Sequence, residues 1–450
     1  MGVFARAPIE RYRCPASFLR LNLSDILSEH AGYFKFGPDI TCYGRPSVGY
    51  VRPQVEPVLY DVLDDVIVTD FGVSLPFDPT ETIDNLLLER YAIAQDSSIR
   101  TTARDAYYFV RPILSPLVRR QIQRLQLIGW RKLSFPRWPV DETVENICDK
   151  LLLLVLRAIG DDRIPFIWFW PEGFSGCVMM THDVEGAAGW DFCTELMDID
   201  DSFGIKASFQ IVPQGHYRVS TAFLEKIRER GFEVALQDLN HDGRLFDEHK
   251  KFLRRAKLIN AYSKKFGAQG FRAAVLYRNP EWFDHFEFSF DMSIPNTARL
   301  DPQRGGCCTV MPYFIGKILE LPVTTTQDYM LFHLLGENSI QLWKEQLELI
   351  LDKSGLASFI IHPDYVIHPR VRKMYIELLD YLHELWRSQR LWLALPSEVD
   401  RWWRVRSKLL LVRNANGWRI EGEGCERATL AYARNVDGKL VYELEAVARA

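Results

Sequence analysis

The stretch CVMMTHDVEG, residues 177–186, joins an apolar run to two carboxylates that stand two residues apart. The apolar run predicts a buried strand. Because alternate side chains of a strand share a face, Asp183 and Glu185 would point together at the end of this strand, with His182 and Val184 pointing the other way. Paired carboxylates at the carboxyl end of a strand suit metal binding or acid–base chemistry. An acidic loop without chemistry is the alternative interpretation.

Polar clusters also follow two later apolar runs. The run FEVAL (232–236) precedes QDLNHDGR (237–244), and the run ASFII (357–361) precedes HPDY (362–365). In a barrel of alternating strands and helices, the carboxyl ends of the strands meet at one mouth. These clusters therefore predict one shared site.

Between residues 177 and 404, short apolar runs alternate with helical patterns. Strands are predicted at 207–212, 232–236, 270–275, 286–290, 317–321, 357–361 and 391–395. This alternation predicts an α/β fold, specifically a distorted (β/α) barrel of about seven strands. A Gly-rich phosphate loop does not follow the first strand, which argues against a nucleotide-binding fold.

The chain divides by pattern into three regions. Residues 1–137 read as an α+β region of unknown role, and residues 138–405 contain the barrel. In residues 406–450, two pairs of β-like runs surround turn signals, which predicts a small β-hairpin domain. The helical spacing of apolar residues from 141 to 159 predicts a helix that leads into the barrel.

Composition excludes several classes of protein. The formal net charge is −4, and Lys and Arg do not cluster, so nucleic acid is not an expected partner. The longest apolar runs are too short to span a membrane, and the N-terminus lacks a signal-peptide pattern, which predicts a cytoplasmic protein. The eight cysteines are predicted to be reduced and buried. The oligomeric state is left open.

Gln237 and His241 are four residues apart, so on a helical turn they could reach one ion. Imidazole is a good ligand for zinc and related metals, whereas a glutamine carbonyl is a weaker one. A loop histidine bonded to the backbone is the alternative for His241. The neighbour Asp238 could lend a carboxylate, but as the next residue it should point elsewhere.

His362 precedes a proline, which favours extended backbone at the close of an apolar strand. Such a histidine could donate a proton to a leaving group at neutral pH. Arg272 could orient an acidic group through charge-assisted hydrogen bonds, and Asp291 is a candidate partner. A purely structural salt bridge between these two is the alternative.

Seven motifs together resemble one known family. In chain order they are THDVEG, NHDGRLF, GFRAAVLYRN, FDMSIPN, GGCCTVMPYFIG, ELPVTTTQD and IHPDY. This series resembles bacterial polysaccharide deacetylases of the NodB-homology type, carbohydrate esterase family four, over about residues 177–403. The lead-in FPRWPVDETV (135–144) and the exit LPSEVDRWW (395–403) are similar to the longer, exopolysaccharide-associated members.

The resemblance implies a metal-dependent hydrolase that removes acetyl groups from an N-acetylated sugar polymer or precursor, a reaction at a non-peptide amide bond. It implies that Asp183 is the general base and His362 the general acid. Arg272 and Asp291 would shape the site around the base. The implied cofactor is a divalent metal, zinc first and cobalt or manganese second, which would activate water and polarise the amide carbonyl.

The metal ligands implied by the resemblance are Glu185, His241 and the residue four positions before that histidine. The family has a histidine at that position, whereas this chain has Gln237. An amide in place of an imidazole predicts that the metal is held weakly or not at all, because even changes around a ligand cost roughly 10–100-fold in affinity. Two functions stay open: a deacetylase, or a catalytically inactive relative that binds a glycan or a biosynthetic partner.

Overall fold

The structure is a computed structural model that describes residues 5–93, 116–160, 162–389, 391–415 and 417–445. In these ranges the strands are β1 Leu21–Leu23, β2 Gly32–Lys35, β3 Thr41–Gly44, β4 Ile67–Thr69, β5 Gly72–Leu75, β6 Arg163–Ile167, β7 Gly176–Val184, β8 Ala207–Ile211, β9 Glu233–Gln237, β10 Gly270–Arg272, β11 Phe290–Asp291, β12 Tyr313–Ile315, β13 Ile318–Glu320, β14 Leu356–Ile361, β15 Leu391–Leu393, β16 Leu410–Asn414, β17 Gly417–Glu421, β18 Leu430–Val436 and β19 Lys439–Leu444.

The helices of the same ranges are mostly amphipathic. They are α1 Arg6–Tyr12, α2 Pro79–Leu87, α3 Arg90–Ile93, α4 Pro116–Gln126, α5 Thr143–Ile159, α6 Ala187–Ser202, α7 Thr221–Glu229, α8 His249–Phe266, α9 Gln341–Asp352, α10 Pro363–Val366, α11 Pro369–Gln389 and α12 Pro396–Arg406. In the described part of the chain, no helix is long and apolar enough to cross a membrane.

The chain packs as two compact units. The first combines residues 1–91, 142–175 and 401–450, and the second combines residues 92–141 and 176–400. The domain boundaries predicted at residues 137 and 405 stay a prediction. Residues 94–115 of the predicted N-terminal region lie outside the described residues.

The second unit contains the predicted barrel. Seven parallel strands run in the order β13-β11-β10-β9-β8-β7-β14, and β12 extends the sheet with an antiparallel pair to β13. The segment that follows β13 contacts strand β14 through side chains. The hydroxyls of Thr324 and Thr325 donate to the carbonyls of Leu356 and Ser358, each at 2.7 Å. The prediction of a distorted barrel of about seven strands is confirmed.

Strand β7 lies next to the last strand of this order, β14, and is buried along its whole length. Strand β14 pairs with one of its edges, while β15 and β8 share the other, β15 at residues 176–178 and β8 at residues 180–184. The ring of His182 lies 2.8 Å from a carboxylate oxygen of Asp200, on helix α6. His182 thus points away from Asp183, as the alternation of a strand predicts.

Two strand predictions were too long by three residues or more. The strand predicted at 270–275 ends at Arg272 because Val275 and Leu276 have φ angles of 59° and 54°, which no strand can contain. The strand predicted at 286–290 is confined to Phe290–Asp291, since a short helical segment, Pro280–His285, occupies the chain just before it.

In the first unit, strands β16 and β17 form one hairpin and β18 and β19 form another, so both predicted hairpins are confirmed. Strand β6 was not predicted, and it pairs antiparallel with β18 to make a three-stranded sheet. The predicted helix at 141–159 is α5. Seven of the eight cysteines are buried and Cys425 is half-buried, all as free thiols.

Candidate active site

The barrel topology brings the candidate residues to one edge of the sheet. Asp183 lies near the end of β7, Gln237 and Arg272 end β9 and β10, Asp291 ends β11, and His362 follows β14. Since these neighbouring strands are parallel, their carboxyl ends meet at the same edge. The register pairs Arg272 directly with Gln237. The chain positions that the motifs singled out therefore converge in space.

Asp183 is fixed by a buried arginine. Nη1 of Arg272 lies 2.5 Å from Oδ1 of Asp183 and donates to the hydroxyl of Thr181 at 2.8 Å. Nε of the same guanidinium donates to the carbonyl of Met292 at 3.0 Å. The arginine is fully buried, and Asp183 is 3% exposed. A carboxylate held in this way is fixed in orientation.

Glu185 faces two imidazoles. Its Oε1 lies 2.8 Å from Nε2 of His241 and 3.4 Å from Nε2 of His362. Burial would raise the pKa of Glu185, but the two histidines hold that pKa well below its ordinary value. For His241, burial favours the neutral ring, and Glu185 nevertheless raises its pKa. The structure brings His241 and His362 to the same carboxylate.

Gln237 bridges both carboxylates. Its side-chain nitrogen donates to Oδ2 of Asp183 at 3.1 Å and to Oε1 of Glu185 at 3.2 Å. The amide is 1% exposed, and this orientation is the one that its hydrogen-bond network supports, because an amide oxygen here would face two negative charges. Gln237 thus offers an N–H group, rather than a lone pair, to the space between the carboxylates.

His362 is held by Asp328, a residue to which the sequence patterns assigned no role. Nδ1 of His362 lies 2.6 Å from one carboxylate oxygen of Asp328, and the backbone N–H of His362 donates to the other at 2.8 Å. Burial would lower the pKa of His362, but the charges of Asp328 and Glu185 raise it well above the ordinary value. The two carboxylates therefore favour the protonated ring of His362. Asp328 is the last residue of the motif ELPVTTTQD, and this motif was the sequence signal by which Asp328 could have been found.

Asp364 positions the segment that carries Glu185, and it was also missed. Its carboxylate accepts hydrogen bonds from the backbone nitrogens of Gly186 at 3.2 Å and Gly189 at 3.1 Å, at the start of helix α6. A carboxylate suits the amino end of a helix because unpaired N–H groups gather there. The motif HPDY therefore contributes His362 to the site, and it contributes Asp364, which holds the segment after β7 that carries Glu185.

Asp291 lies near the site but pairs with other groups. It accepts hydrogen bonds from the backbone nitrogen of Ser293 at 2.9 Å and from its hydroxyl at 3.0 Å, and its carboxyl group bonds that of Glu320. Burial raises the pKa of Asp291 to about 6, although the charge of Arg272 opposes this. Burial and the charge of Asp291 raise the pKa of Glu320 well above its ordinary value. The predicted catalytic role of Asp291 stays a prediction.

The Asp291–Glu320 pair predicts a pH dependence of stability. Both carboxyls have a higher pKa when folded, so their contribution is complete at about pH 4 and declines as the pH rises through about 6. Glu320→Gln keeps the acceptor for the N–H of Ile294 and removes one charge. We expect the free energy of unfolding of this variant to fall less between pH 4 and pH 8 than that of the wild type, measured by urea unfolding. Glu287→Gln, at an exposed position, is the control; equal slopes in all three proteins would contradict the prediction.

Three side chains of the site could hold a metal ion. One donor atom each from Asp183, Glu185 and His362 lies within 4.8 Å of the other two. Two oxygens and one imidazole nitrogen suit zinc and related divalent ions. The ligand set expected from the sequence, Glu185, His241 and Gln237, shares only Glu185 with this group. His241 instead contacts Glu185 directly.

The fold and this cluster define a distorted (β/α)-barrel protein with a buried carboxylate–histidine site. No family model and no curated protein matches the chain. Solved structures similar to it include polysaccharide deacetylases and esterases of carbohydrate esterase family four. One is a Mycobacterium smegmatis protein described as a polysaccharide deacetylase, at 17% identity over 53% of this chain and 93% of that chain, with a TM-score of 0.44.

Two further solved structures are similar. Puue allantoinase is 11% identical over 52% of this chain and 92% of its own, with a TM-score of 0.42. A family 4 acetyl xylan esterase from Clostridium thermocellum, solved with a cobalt ion, is 15% identical over 50% of this chain and 91% of its own, with a TM-score of 0.33. At these identities the likeness concerns the fold.

Proposed function

We propose that this chain is a hydrolase that removes N-acetyl groups from an N-acetylated carbohydrate. The observation that carries the proposal is the meeting of Asp183, Glu185 and His362, with donor atoms within 4.8 Å, at the carboxyl ends of the barrel strands. Arg272 holds the first of these groups, and Asp328 holds the third. Acid, base and orienting groups are thus present together, as amide hydrolysis requires. The cytoplasmic location inferred from the sequence stays a prediction.

The side chains suggest a division of work in the reaction. Asp183, oriented by Arg272, accepts the proton of the attacking water. His362, charged because Asp328 and Glu185 raise its pKa, donates its proton to the departing amine nitrogen. A protonated imidazole is the form that a general acid needs before the C–N bond breaks.

A divalent ion would be held by the carboxylates of Asp183 and Glu185, because His362, as the protonated acid of this mechanism, has no lone pair to offer a metal. When bound, such an ion would lower the pKa of water and polarise the acetyl carbonyl. Zinc is the first expectation, with cobalt or manganese second. The identity of the metal and the dependence of activity on it stay predictions.

A second candidate function is a catalytically inactive protein that binds a glycan or a biosynthetic partner. Gln237 favours it, because its N–H groups already satisfy both carboxylates. Arg272 beside Asp183, and the two imidazoles beside Glu185, further offset the charges of these carboxylates. A third possibility keeps the enzyme and changes the amide, since a fold and site do not fix the leaving group.

The test is acetate release from N-acetylglucosamine oligomers by purified protein supplied with Zn²⁺, Co²⁺ or Mn²⁺. We expect wild-type turnover and expect Gln237→His to bind Zn²⁺ roughly 10–100-fold more tightly, because an imidazole replaces an amide beside the ion. Gln214→His, the same change at an exposed position, is the control. A wild type that is inactive while Gln237→His is active would establish the second candidate. Inactivity of both, with Zn²⁺ bound, would exclude the proposed substrate.

A further inference from the structure

The segment at residues 116–133, which we call the basic segment, differs from the rest of the chain in charge. It contains five Lys or Arg and no Asp or Glu, whereas the whole chain has a formal net charge of −4. The basic residues are Arg119, Arg120, Arg124, Arg131 and Lys132. Lys and Arg therefore do cluster locally, which the composition of the whole chain conceals. A basic stretch of this kind attracts anionic partners.

The basic segment also exposes apolar side chains. It folds as helix α4, Pro116–Gln126, followed by a short helical turn, Trp130–Lys132. Leu125, Ile128 and Leu133 are 63%, 78% and 47% exposed. One exposed apolar side chain is ordinary, but several in one short segment form a patch that needs an explanation. The side chains of Arg131 and Lys132 are exposed in the same segment, so its surface is apolar and basic together.

Other side chains of the basic segment hold it against the barrel. Gln123 accepts a hydrogen bond from the hydroxyl of Tyr329, and Arg299 donates to the carbonyl of Trp130 at 3.1 Å. Leu127 is buried in an apolar cluster. That cluster also contains Leu300, Met330 and Leu334. The packing of the segment onto the barrel therefore uses Gln123 and Leu127 and leaves the exposed apolar side chains unused.

The geometry of helix α4 separates these two sets of side chains. Gln123 and Leu125 stand two residues apart, so they project about 200° from one another around the helix axis. Since Gln123 faces Tyr329, Leu125 faces away from the barrel. The ring of Tyr329 stacks on Tyr365 at 5.8 Å, and Tyr365 lies 5.1 Å from the ring of His362. The segment is thus attached at the edge of the barrel that carries the candidate site.

We propose that the basic segment binds the surface of an anionic lipid bilayer. In an amphipathic segment of this composition, apolar side chains enter the boundary between headgroups and acyl chains, and basic side chains contact the anionic headgroups. Leu125, Ile128 and Leu133 fill the first role, and Arg131 and Lys132 fill the second. Nucleic acid would engage the basic side chains alone, because its interfaces with proteins are polar. The exposed apolar side chains therefore favour the membrane.

The experiment is co-sedimentation of the full chain with vesicles made of equal parts of phosphatidylcholine and phosphatidylglycerol. Vesicles of phosphatidylcholine alone are the comparison, and they should bind much less protein. Arg131→Gln/Lys132→Gln is expected to weaken binding to the anionic vesicles about 25-fold, because each basic side chain near such a surface contributes about fivefold. Leu125→Gln/Ile128→Gln is expected to weaken it about tenfold or more, because two apolar side chains lose their burial in the bilayer.

Matched control variants make the same changes elsewhere in the second unit. Lys250→Gln/Lys257→Gln removes two exposed charges from helix α8, and Leu258→Gln/Ile376→Gln replaces exposed apolar side chains on helices α8 and α11. Both should bind anionic vesicles like the wild type. Wild-type circular dichroism of all four variants would exclude unfolding as the cause of a loss.

Several outcomes would overturn the proposal. These are absence of vesicle binding by folded wild type, equal binding to both kinds of vesicle, or binding that neither variant of the basic segment weakens. Binding to duplex RNA that Arg131→Gln/Lys132→Gln weakens, without binding to vesicles, would assign the segment to nucleic acid instead. Sedimentation is measured without substrate. A wild type that binds anionic vesicles and releases no acetate would therefore support this inference and reject only the hydrolase.

Discussion

Asp183→Asn is expected to reduce the rate of acetate release by about 10²–10⁴-fold, the range for loss of a positioned general base. An amide oxygen can still accept the hydrogen bond from Arg272, but it cannot accept a proton from water. The substitution is nearly isosteric at a buried position and keeps the bond between Arg272 and Thr181, although the new NH2 group faces the donor nitrogen of Gln237 and that one hydrogen bond is lost. Initial rates of acetate release by both proteins measure the effect.

Asp198→Asn is the matched control, because it makes the same change on an exposed side chain of helix α6. It should release acetate at the wild-type rate. Both variants should show wild-type far-ultraviolet circular dichroism, which separates a chemical loss from unfolding. An Asp183→Asn enzyme that keeps the wild-type rate would remove Asp183 from the mechanism and with it the role given to Arg272.

The order of elements in the barrel was accessible from sequence because it rests on local patterns. The fully buried strands β7 and β14 read as continuous apolar runs, and each ends at a polar cluster. The carboxyl ends of neighbouring parallel strands meet at one edge, so the convergence of Asp183, Gln237 and His362 followed from topology alone.

Side-chain pairings between residues far apart in the sequence were harder to predict. Asp328 meets His362 across 34 residues and Asp364 meets Gly186 across 178, and nothing in the local pattern of either carboxylate reveals its partner. The sequence assigned Arg272 a carboxylate partner and named Asp291. In the structure, Nη1 of Arg272 bonds Asp183, 89 residues away, whereas the carboxylate of Asp291 accepts from Ser293. Topology locates the edge of a sheet, whereas side-chain reach and rotamer decide which groups at that edge bond.

The strained turn after Arg272 was inaccessible for a different reason. The sequence Ala273-Ala274-Val275-Leu276 has strand-forming residues and no glycine, so a positive φ is the least expected conformation there. The surrounding structure overrides the local preference, since Leu276 packs with Val323 and Ile360. Local rules fail where packing imposes another backbone.

Arg272→Met is expected to lower the free energy of unfolding by about 3–5 kcal/mol, the usual cost of removing one partner of a buried ion pair. Methionine fills much of the volume but leaves the Asp183 carboxylate buried without its cation. It also leaves the hydroxyl of Thr181 and the carbonyl of Met292 without a donor that they have in the wild type. Urea unfolding followed by tryptophan fluorescence measures the loss.

The double variant Asp183→Asn/Arg272→Met tests the cause, because the neutral amide removes the uncompensated charge. It should be more stable than Arg272→Met alone, which gives a coupling energy in a double-mutant cycle. Arg254→Met, on the exposed face of helix α8, should change stability by less than about 0.5 kcal/mol. If the double variant is instead less stable than Arg272→Met by the full effect of Asp183→Asn, the two residues act independently. The guanidinium would then stabilise the barrel through Thr181 and Met292 rather than through Asp183.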